Sequence, residues 1–257
     1  MRRVARVLGA LVCLSLIGAG GLGLWGYLSE RGTARDSYAE LETYVQLVPT
    51  GTPAPSAVAA TSPEPAPERP EVDFAALSEI NPDVAAWLIC EGTELSYPVV
   101  RGEDNEYYLT HLFNGTPGAS GCLFLDSRTE GGFIERHSII YGHHMKDGSM
   151  FAALDGYKEQ EFYEEHPTLL LLTPEGDFEA EVFSAGVAPT SSDAWRLDFP
   201  DEADFASWLS AVVESSAITT ALTPSPADRI LTLSTCSYEY PDARLVVHTV
   251  LRPLSDK

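Results

Sequence analysis

A chain of 257 residues with 44% hydrophobic and 10% aromatic content can build one sizeable core with appendages, or at most two small domains, and wholesale disorder is excluded. Lys and Arg number 16 against 38 Asp and Glu, a formal net charge of −22, so a phosphate backbone would be repelled and nucleic acid is set aside as a partner. Cys13, Cys90, Cys122 and Cys236 form no CxxC pair and stand far apart, which fits neither a zinc ribbon nor a dense disulfide framework.

From Val7 to Ser29 there is no charged residue. At about 1.5 Å per residue the stretch crosses a hydrocarbon layer of roughly 30 Å, which predicts a transmembrane signal-anchor. Arg2, Arg3 and Arg6 precede it, so residues 1–6 are expected in the cytoplasm and everything after residue 30 outside, with membrane lipid as a partner. The competing reading is a cleaved signal peptide, with Gly18, Ala19 and Gly20 near the cleavage point; the apolar run continues through Leu22, Leu24, Trp25 and Leu28, which favours the anchor.

Tyr38, Leu41 and Val45 stand at helical spacing and predict a short juxtamembrane helix over residues 35–47. Seven prolines follow between Pro49 and Pro70, with no aromatic residue between Tyr44 and Phe74. Such a segment builds no core and favours extended conformations, a spacer of about 60–70 Å at roughly 3 Å per residue. Residues 30–72 are thus read as juxtamembrane helix and spacer, and 73–257 as one folded domain.

Within that domain eight short apolar runs bounded by turn residues predict strands: Ala85–Glu91, Leu95–Arg101, Gly121–Asp126, His137–Tyr141, Thr168–Thr173, Phe178–Val187, Arg229–Cys236 and Arg244–Leu251. A mainly β fold, a closed or nearly closed barrel, follows. Short helices are expected over Phe74–Ile80, Asn105–His111, Ser149–Tyr157 and Gln160–His166. A longer one spans Asp201–Ser216, where Phe205, Trp208, Leu209, Val212 and Val213 form an apolar stripe and Asp201, Glu202 and Asp204 suit a first turn.

Cys236 ends the strand Arg229-Ile-Leu-Thr-Leu-Ser-Thr-Cys. Alternation puts Ile230, Thr232, Ser234 and Cys236 on one face and Leu231, Leu233 and Thr235 on the other. A buried structural thiol would suit the leucine face, so its place on the more polar face balances a structural against a nucleophilic role. If the last two strands form a hairpin, Arg244 lies opposite Cys236, where a guanidinium suits an oxyanion; the rival is a solvated Arg paired to Asp242 or Glu239. A thiol nucleophile wants a proton acceptor nearby. His143 and His144, in a loop at a strand end, are the candidates, while His248, His111, His137 and His166 take structural readings. Zinc held by His143, His144 and Cys236 lacks any HExxH or CxxC spacing.

Tyr141-Gly142-His143, Lys146-Asp147-Gly148-Ser149-Met150-Phe151, Leu231-Thr232-Leu233-Ser234-Thr235-Cys236 and Arg244 together resemble the signature of a class B sortase. Asn81-Pro82-Asp83 with Trp87, Tyr97-Pro98-Val99-Val100 and Asp104-Asn105-Glu106-Tyr107-Tyr108-Leu109 extend the resemblance over nearly all of residues 74–254. It implies an eight-stranded sortase barrel with an added helix before the seventh strand, and a membrane-anchored cysteine transpeptidase of the Gram-positive surface. By the same resemblance Cys236 is the nucleophile, His143 the general acid and base, and Arg244 the group that positions substrate and steadies the oxyanion. Ser234 is implied as a contact of the sorting peptide. The implied partners are surface proteins with a C-terminal sorting motif, cleaved after Thr, and an amine of a cell-wall peptide or pilin lysine. No metal or organic cofactor is implied. Two alternatives are a secreted Cys-His hydrolase of the papain type, which would want its Cys at a helix N-terminus and before its His, and a non-catalytic surface-binding module on a stalk. The loops Ser127–Arg136 and Glu159–Glu165 are expected to shape the groove.

Overall fold

The computed structural model describes residues 32–49 and 68–254. The expected signal-anchor at 7–29 lies outside the described residues, and among those described no helix is long and apolar enough to cross a membrane. The chain divides into two units at Glu40. Of the first, residues 32–40 are described and helical, in a helix, α1, that runs over residues 32–41.

The second unit opens with a two-stranded antiparallel ladder. Strand β1 (Val45–Pro49) pairs with β2 (Glu68–Val72), Val45 opposite Val72 and Pro49 opposite Glu68. Two expectations change here. Residues 45–47 are strand rather than helix, because their backbone finds a partner strand at residues 70–72. The ends of the proline-rich segment also lie side by side, so it does not hold its flanks 60–70 Å apart. Helix α2 (Phe74–Ile80) follows, its N-terminus capped by Asp73, whose carboxylate accepts from the Ala76 N–H at 2.9 Å.

The eight predicted barrel strands all form: β3 (Val84–Ile89), β4 (Ser96–Val100), β5 (Leu123–Leu125), β6 (His137–Tyr141), β7 (Thr168–Leu172), β8 (Phe178–Pro189), β9 (Ile230–Cys236) and β10 (Ala243–Pro253). They close in the order β10-β8-β7-β3-β4-β5-β6-β9. Neighbours are antiparallel except β4 with β5 and β6 with β9. One face of each strand fills the interior: Leu231 and Leu233, Leu245 and Val247, Ile140 and Leu125 are fully buried in matching register. The opposite face of β6, β9 and β10 carries His137, Ile230, Thr232, Ser234, Cys236, Arg244 and His248.

Half of that outer face is covered by α4 (Glu202–Glu214), which precedes the seventh barrel strand, β9. Asp201 caps it, accepting from the Asp204 N–H at 2.8 Å. Phe205, Trp208, Leu209 and Val212 pack with Phe183, Ile230 and Val250, and each such side chain contributes about 1.5–3 kcal/mol on burial. Val213, expected in the stripe, is 39% exposed; eight residues beyond Phe205 it has turned about 80° round the helix at about 100° per residue. Of the other expected helices, α3 (Gln160–Glu165) forms. Phe151–Lys158 winds as a 3-10 helix, and Asn105–His111 shrinks to one 3-10 turn at Tyr107–Leu109. There the Asp104 carboxylate captures the Glu106 and Tyr107 N–H groups, and Tyr108 is drawn inward, its hydroxyl donating to Asp83 and accepting from Asn81.

Two histidines are buried under α4 and joined through Thr232. His137 Nδ1 donates to the Arg196 carbonyl at 2.7 Å, which leaves Nε2 to accept from the Thr232 hydroxyl at 2.7 Å. Thr232 Oγ1 in turn accepts from His248 Nδ1 at 2.7 Å. Both rings are thus satisfied as neutral imidazoles, and burial pushes their pKa values from 6.5 down to about 4 for His137 and about 3 for His248.

Because the folded pKa values are depressed, the unfolded chain takes up protons that the fold refuses as pH drops below about 6.5. Stability is fully present above that pH and falls toward pH 4, with a slope approaching about 2.7 kcal/mol per pH unit for two such groups. Urea unfolding from pH 7.5 to 4.5 checks this; an unchanged midpoint across the range would contradict it. The glycine of Tyr141-Gly142-His143 has a steric reason. A Cβ there would overlap Leu123 Cδ2 and stand 2.7 Å from Phe151 Cδ2. Gly142→Ala is expected to cost about 1–3 kcal/mol, read as a lowered melting temperature.

Candidate active site

The uncovered half of the outer face is the floor of a cleft of about 370 Å³ whose lining includes Cys236, His143, Arg244 and Ser234. Phe124 and Tyr141 complete the floor, Asn105 and Leu109 form one wall, and Thr190 and Trp195 the other. A larger open cleft of about 790 Å³ includes Asp177, next to the start of β8, whereas the 370 Å³ cleft lies near the other end of that strand. Its acidic lining of Glu71, Asp73, Glu175 and Asp177 includes neither a cysteine nor a histidine, so the smaller cleft is the chemical candidate.

Cys236 is the last residue of β9, partly exposed, directly opposite Arg244 on β10. The hairpin inferred from the sequence therefore exists, with Asp242 in a positive-φ turn conformation, φ 62°, before the second strand. Arg244 NH1 donates to the Ala243 carbonyl at 3.0 Å. Among the described residues no carboxylate forms an ion pair with Arg244, and Glu239 pairs with Lys158 instead at 2.9 Å. The remaining guanidinium donors are thus open to a ligand in the cleft.

His143 stands on the loop that leaves β6. Its Nε2 donates to the Leu109 carbonyl at 2.8 Å, so in the neutral ring Nδ1 carries the lone pair and is the nitrogen able to exchange a proton. The carbonyl is held in place from far along the chain. Tyr108, next to it, donates to Asp83 at 2.7 Å, and Asn81 reaches both the Tyr108 hydroxyl and the Phe113 carbonyl. The scattered Asn-Pro-Asp and Tyr-Tyr-Leu motifs meet in this one support.

Below the floor, Asp126 is fully buried and accepts from the Tyr141 hydroxyl at 2.9 Å and from Arg128 through Nε, NH2 and the backbone N–H. Burial opposes its charge, yet these donors hold its pKa down to about 2. The anchored carboxylate fixes the Tyr141 ring within the floor. Ser234, expected from the sequence as a substrate contact, lines the cleft with its hydroxyl accepting from Trp195 Nε1 at 2.9 Å.

Trp195 carries no periodic signal, since it lies in a turn-rich connection between β8 and α4; a lone Trp amid Ser191, Ser192 and Asp193 is the one clue the sequence offers. Its segment is fixed by Trp208 Nε1 donating to the Asp193 carbonyl at 2.9 Å, by His137 on the Arg196 carbonyl, and by the Arg196–Asp204 ion pair. The loops at 127–136 and 159–165 contribute no lining residue to the 370 Å³ cleft. His248, in register with Arg244, falls on the covered half of the same face. Among the described residues no group of three or more His, Cys, Asp or Glu is placed to hold a metal ion.

Residues 88–252 match the sortase domain family. Sortase B of Listeria monocytogenes serovar 1/2a is 38% identical over 175 residues, 66% of this chain and 70% of that protein. Sortase B of Staphylococcus aureus is 35% identical over 176 residues, 68% of this chain and 72% of its own. The crystal structure of S. aureus sortase B superposes with a TM-score of 0.68 at 34% identity, covering 71% of this chain and 87% of that one. Sortase B from B. anthracis in complex with AAEK1 gives 0.73 at 29% identity, covering 88% and 100%. With the barrel, the helix before its seventh strand and a cysteine in the open cleft, this chain belongs to the sortase family and is a class B sortase, a cysteine transpeptidase.

Proposed function

We propose that this sortase cleaves a C-terminal sorting motif after Thr and passes the protein to an amine of a cell-wall peptide or pilin lysine at the outer face of the membrane. The observation that carries the reading is the convergence of Cys236, His143 and Arg244 in one cleft, on a stretch of the β6-β9-β10 outer face that α4 leaves open. Two related structures, an S. aureus sortase B–substrate complex and a sortase B complexed with triglycine, support a peptide donor and an amine acceptor.

The Cys236 thiol gives its proton to Nδ1 of His143 as its sulfur attacks the Thr carbonyl carbon, and the developing oxyanion takes hydrogen bonds from the Arg244 guanidinium. The C–N bond breaks as His143 gives its proton to the leaving amine, which leaves a thioester on Cys236. The acceptor amine then attacks that carbonyl, gives its proton to His143, and the sulfur departs. Two donors of one planar group suit the substrate carbonyls, whereas a lysine offers a point charge. The hydrophobic segment at 7–29 holds the enzyme at the membrane with residues 1–6 inside, and Ser234 meets the sorting peptide beside Trp195.

Cleavage of a panel of fluorogenic peptides containing Thr-X bonds should vanish in Cys236→Ala and drop by about 10²–10⁴ in His143→Ala. Turnover by the Cys236→Ala protein would end the assignment. Arg244→Lys should lower kcat at least as much as it raises KM, a loss of about 2–4 kcal/mol, because geometry and not charge is what Lys fails to supply. A lysine variant with wild-type kcat and only a lower melting temperature would make Arg244 a structural residue.

A further inference from the structure

His143 and Cys236 sit on different segments, and the backbone ladder that joins those segments stops short of both. Strands β6 and β9 pair in parallel as far as Tyr141 opposite Ser234, and the last backbone bond runs from the Gly142 N–H to the Ser234 carbonyl at 3.2 Å. Beyond it the chains part. Cys236 turns toward Arg244 on β10, while the His143 loop folds back on itself: His144 bridges Met150, and the Phe151 N–H donates to the His143 carbonyl at 3.0 Å.

Two side chains, both meeting at His144, restore the link. His144 Nδ1 lies 3.2 Å from the Cys236 carbonyl, and since a carbonyl only accepts, Nδ1 is the donor. The loop after Cys236 grips the same residue from the other side. The Tyr238 hydroxyl donates to the His144 carbonyl at 3.3 Å, and the Tyr238 ring lies 5.4 Å from the imidazole at 55°. His144 is therefore tied at its side chain to the nucleophile's own backbone and at its backbone to the residue two positions beyond the nucleophile.

We propose that His144 is a positioning residue that sets the separation of the His143 imidazole and the Cys236 sulfur. The inference rests on the reading of those two as the reacting pair. Proton exchange between positioned groups needs heavy atoms within about 2.6–3.2 Å, and a misplacement of about 1 Å can cost 10²-fold in rate. A side-chain bond across the gap is thus enough to matter to turnover without contributing much to folding or to peptide affinity.

The test uses the position of the donor atom. Asn carries an amide nitrogen at the same number of bonds from Cα as His Nδ1, Gln carries it one bond farther, and Ala carries none. His144→Ala should lower kcat about tenfold with KM for the peptide within about twofold and little change in melting temperature. His144→Asn should restore kcat to within about threefold of wild type, and His144→Gln should restore less; the Asn and Gln variants carry the comparison if the Ala variant fails to fold. Wild-type kcat in His144→Ala, or Asn no better than Gln, would overturn the proposal. A loss in His144→Ala as deep as that in His143→Ala, without rescue by Asn, would also overturn it by making His144 itself the proton-transfer group. If Cys236→Ala and His143→Ala lose activity while the His144 series is flat, only the positioning role falls. Cleavage by Cys236→Ala would instead remove the parent reading and this inference with it.

Discussion

The parallel ladder between β6 and β9 aligns Tyr141 with Ser234 and His137 with Ile230, so the outer faces of β6, β9 and β10 form one continuous surface. That surface has to be dry at one end and open to a peptide at the other. Helix α4 and its aromatic residues bury the end that carries Ile230, Thr232 and Val250, and Ser234, Cys236 and Arg244 line the open end two to six residues along the same strands. Each strand thus changes from core to site along its length without changing face. Rigidity at the reacting end is inherited from the packing at the other, since a strand cannot shift at Cys236 without dragging Ile230 out of an apolar cluster.

The covered end holds polar groups as well, and their chemistry is directional. His137 has to donate at Nδ1 because the Arg196 carbonyl can only accept, and from there the donors and acceptors of Thr232 and His248 follow without choice. A chain of this kind closes only while the His137 ring is neutral, since an imidazolium there has no lone pair to accept from the Thr232 hydroxyl. It also reaches the cleft: the carbonyl that His137 holds belongs to the residue after Trp195, whose indole caps Ser234 at the cleft wall. The wall between the dry and open halves is therefore fastened from the dry side.

Short apolar runs bounded by turn residues make all eight barrel strands legible, and the acidic first turn with its i, i+3, i+4, i+7 stripe makes α4 legible, because both patterns record the burial of a regular element. The pairing of Arg244 with Cys236 is legible for the same reason, as a hairpin register. Where sequence pattern and structure differ, the deciding partner is distant in sequence. Val45 looks helical beside Tyr38 and Leu41 but pairs with Val72. Asn105–His111 has helical spacing, yet Asp104 and the inward pull on Tyr108 from Asn81 and Asp83 leave it one turn. Trp195 lies in a connection with no period at all, and His248 shares a face with Arg244 while lying under a helix that periodicity could not place over it.

The histidine loop shows what such distant partners contribute to chemistry. A loop residue has no ladder to hold its side chain, so each restraint on His143 comes from elsewhere in the chain. Leu109 takes its Nε2–H, positioned by Tyr108 on Asn81 and Asp83. Gly142 lets the backbone pass against Leu123 and Phe151 where any Cβ would collide. His144 returns the loop to the backbone of Cys236. These restraints act along different directions, which is what fixing an imidazole requires, since one hydrogen bond leaves the ring free to swing about its donor. The scattering of the sortase motifs from Asn81 to Arg244 is then a consequence of geometry: a proton-transfer group on a loop needs supports from several sides, and supports from several sides must come from separate stretches of sequence.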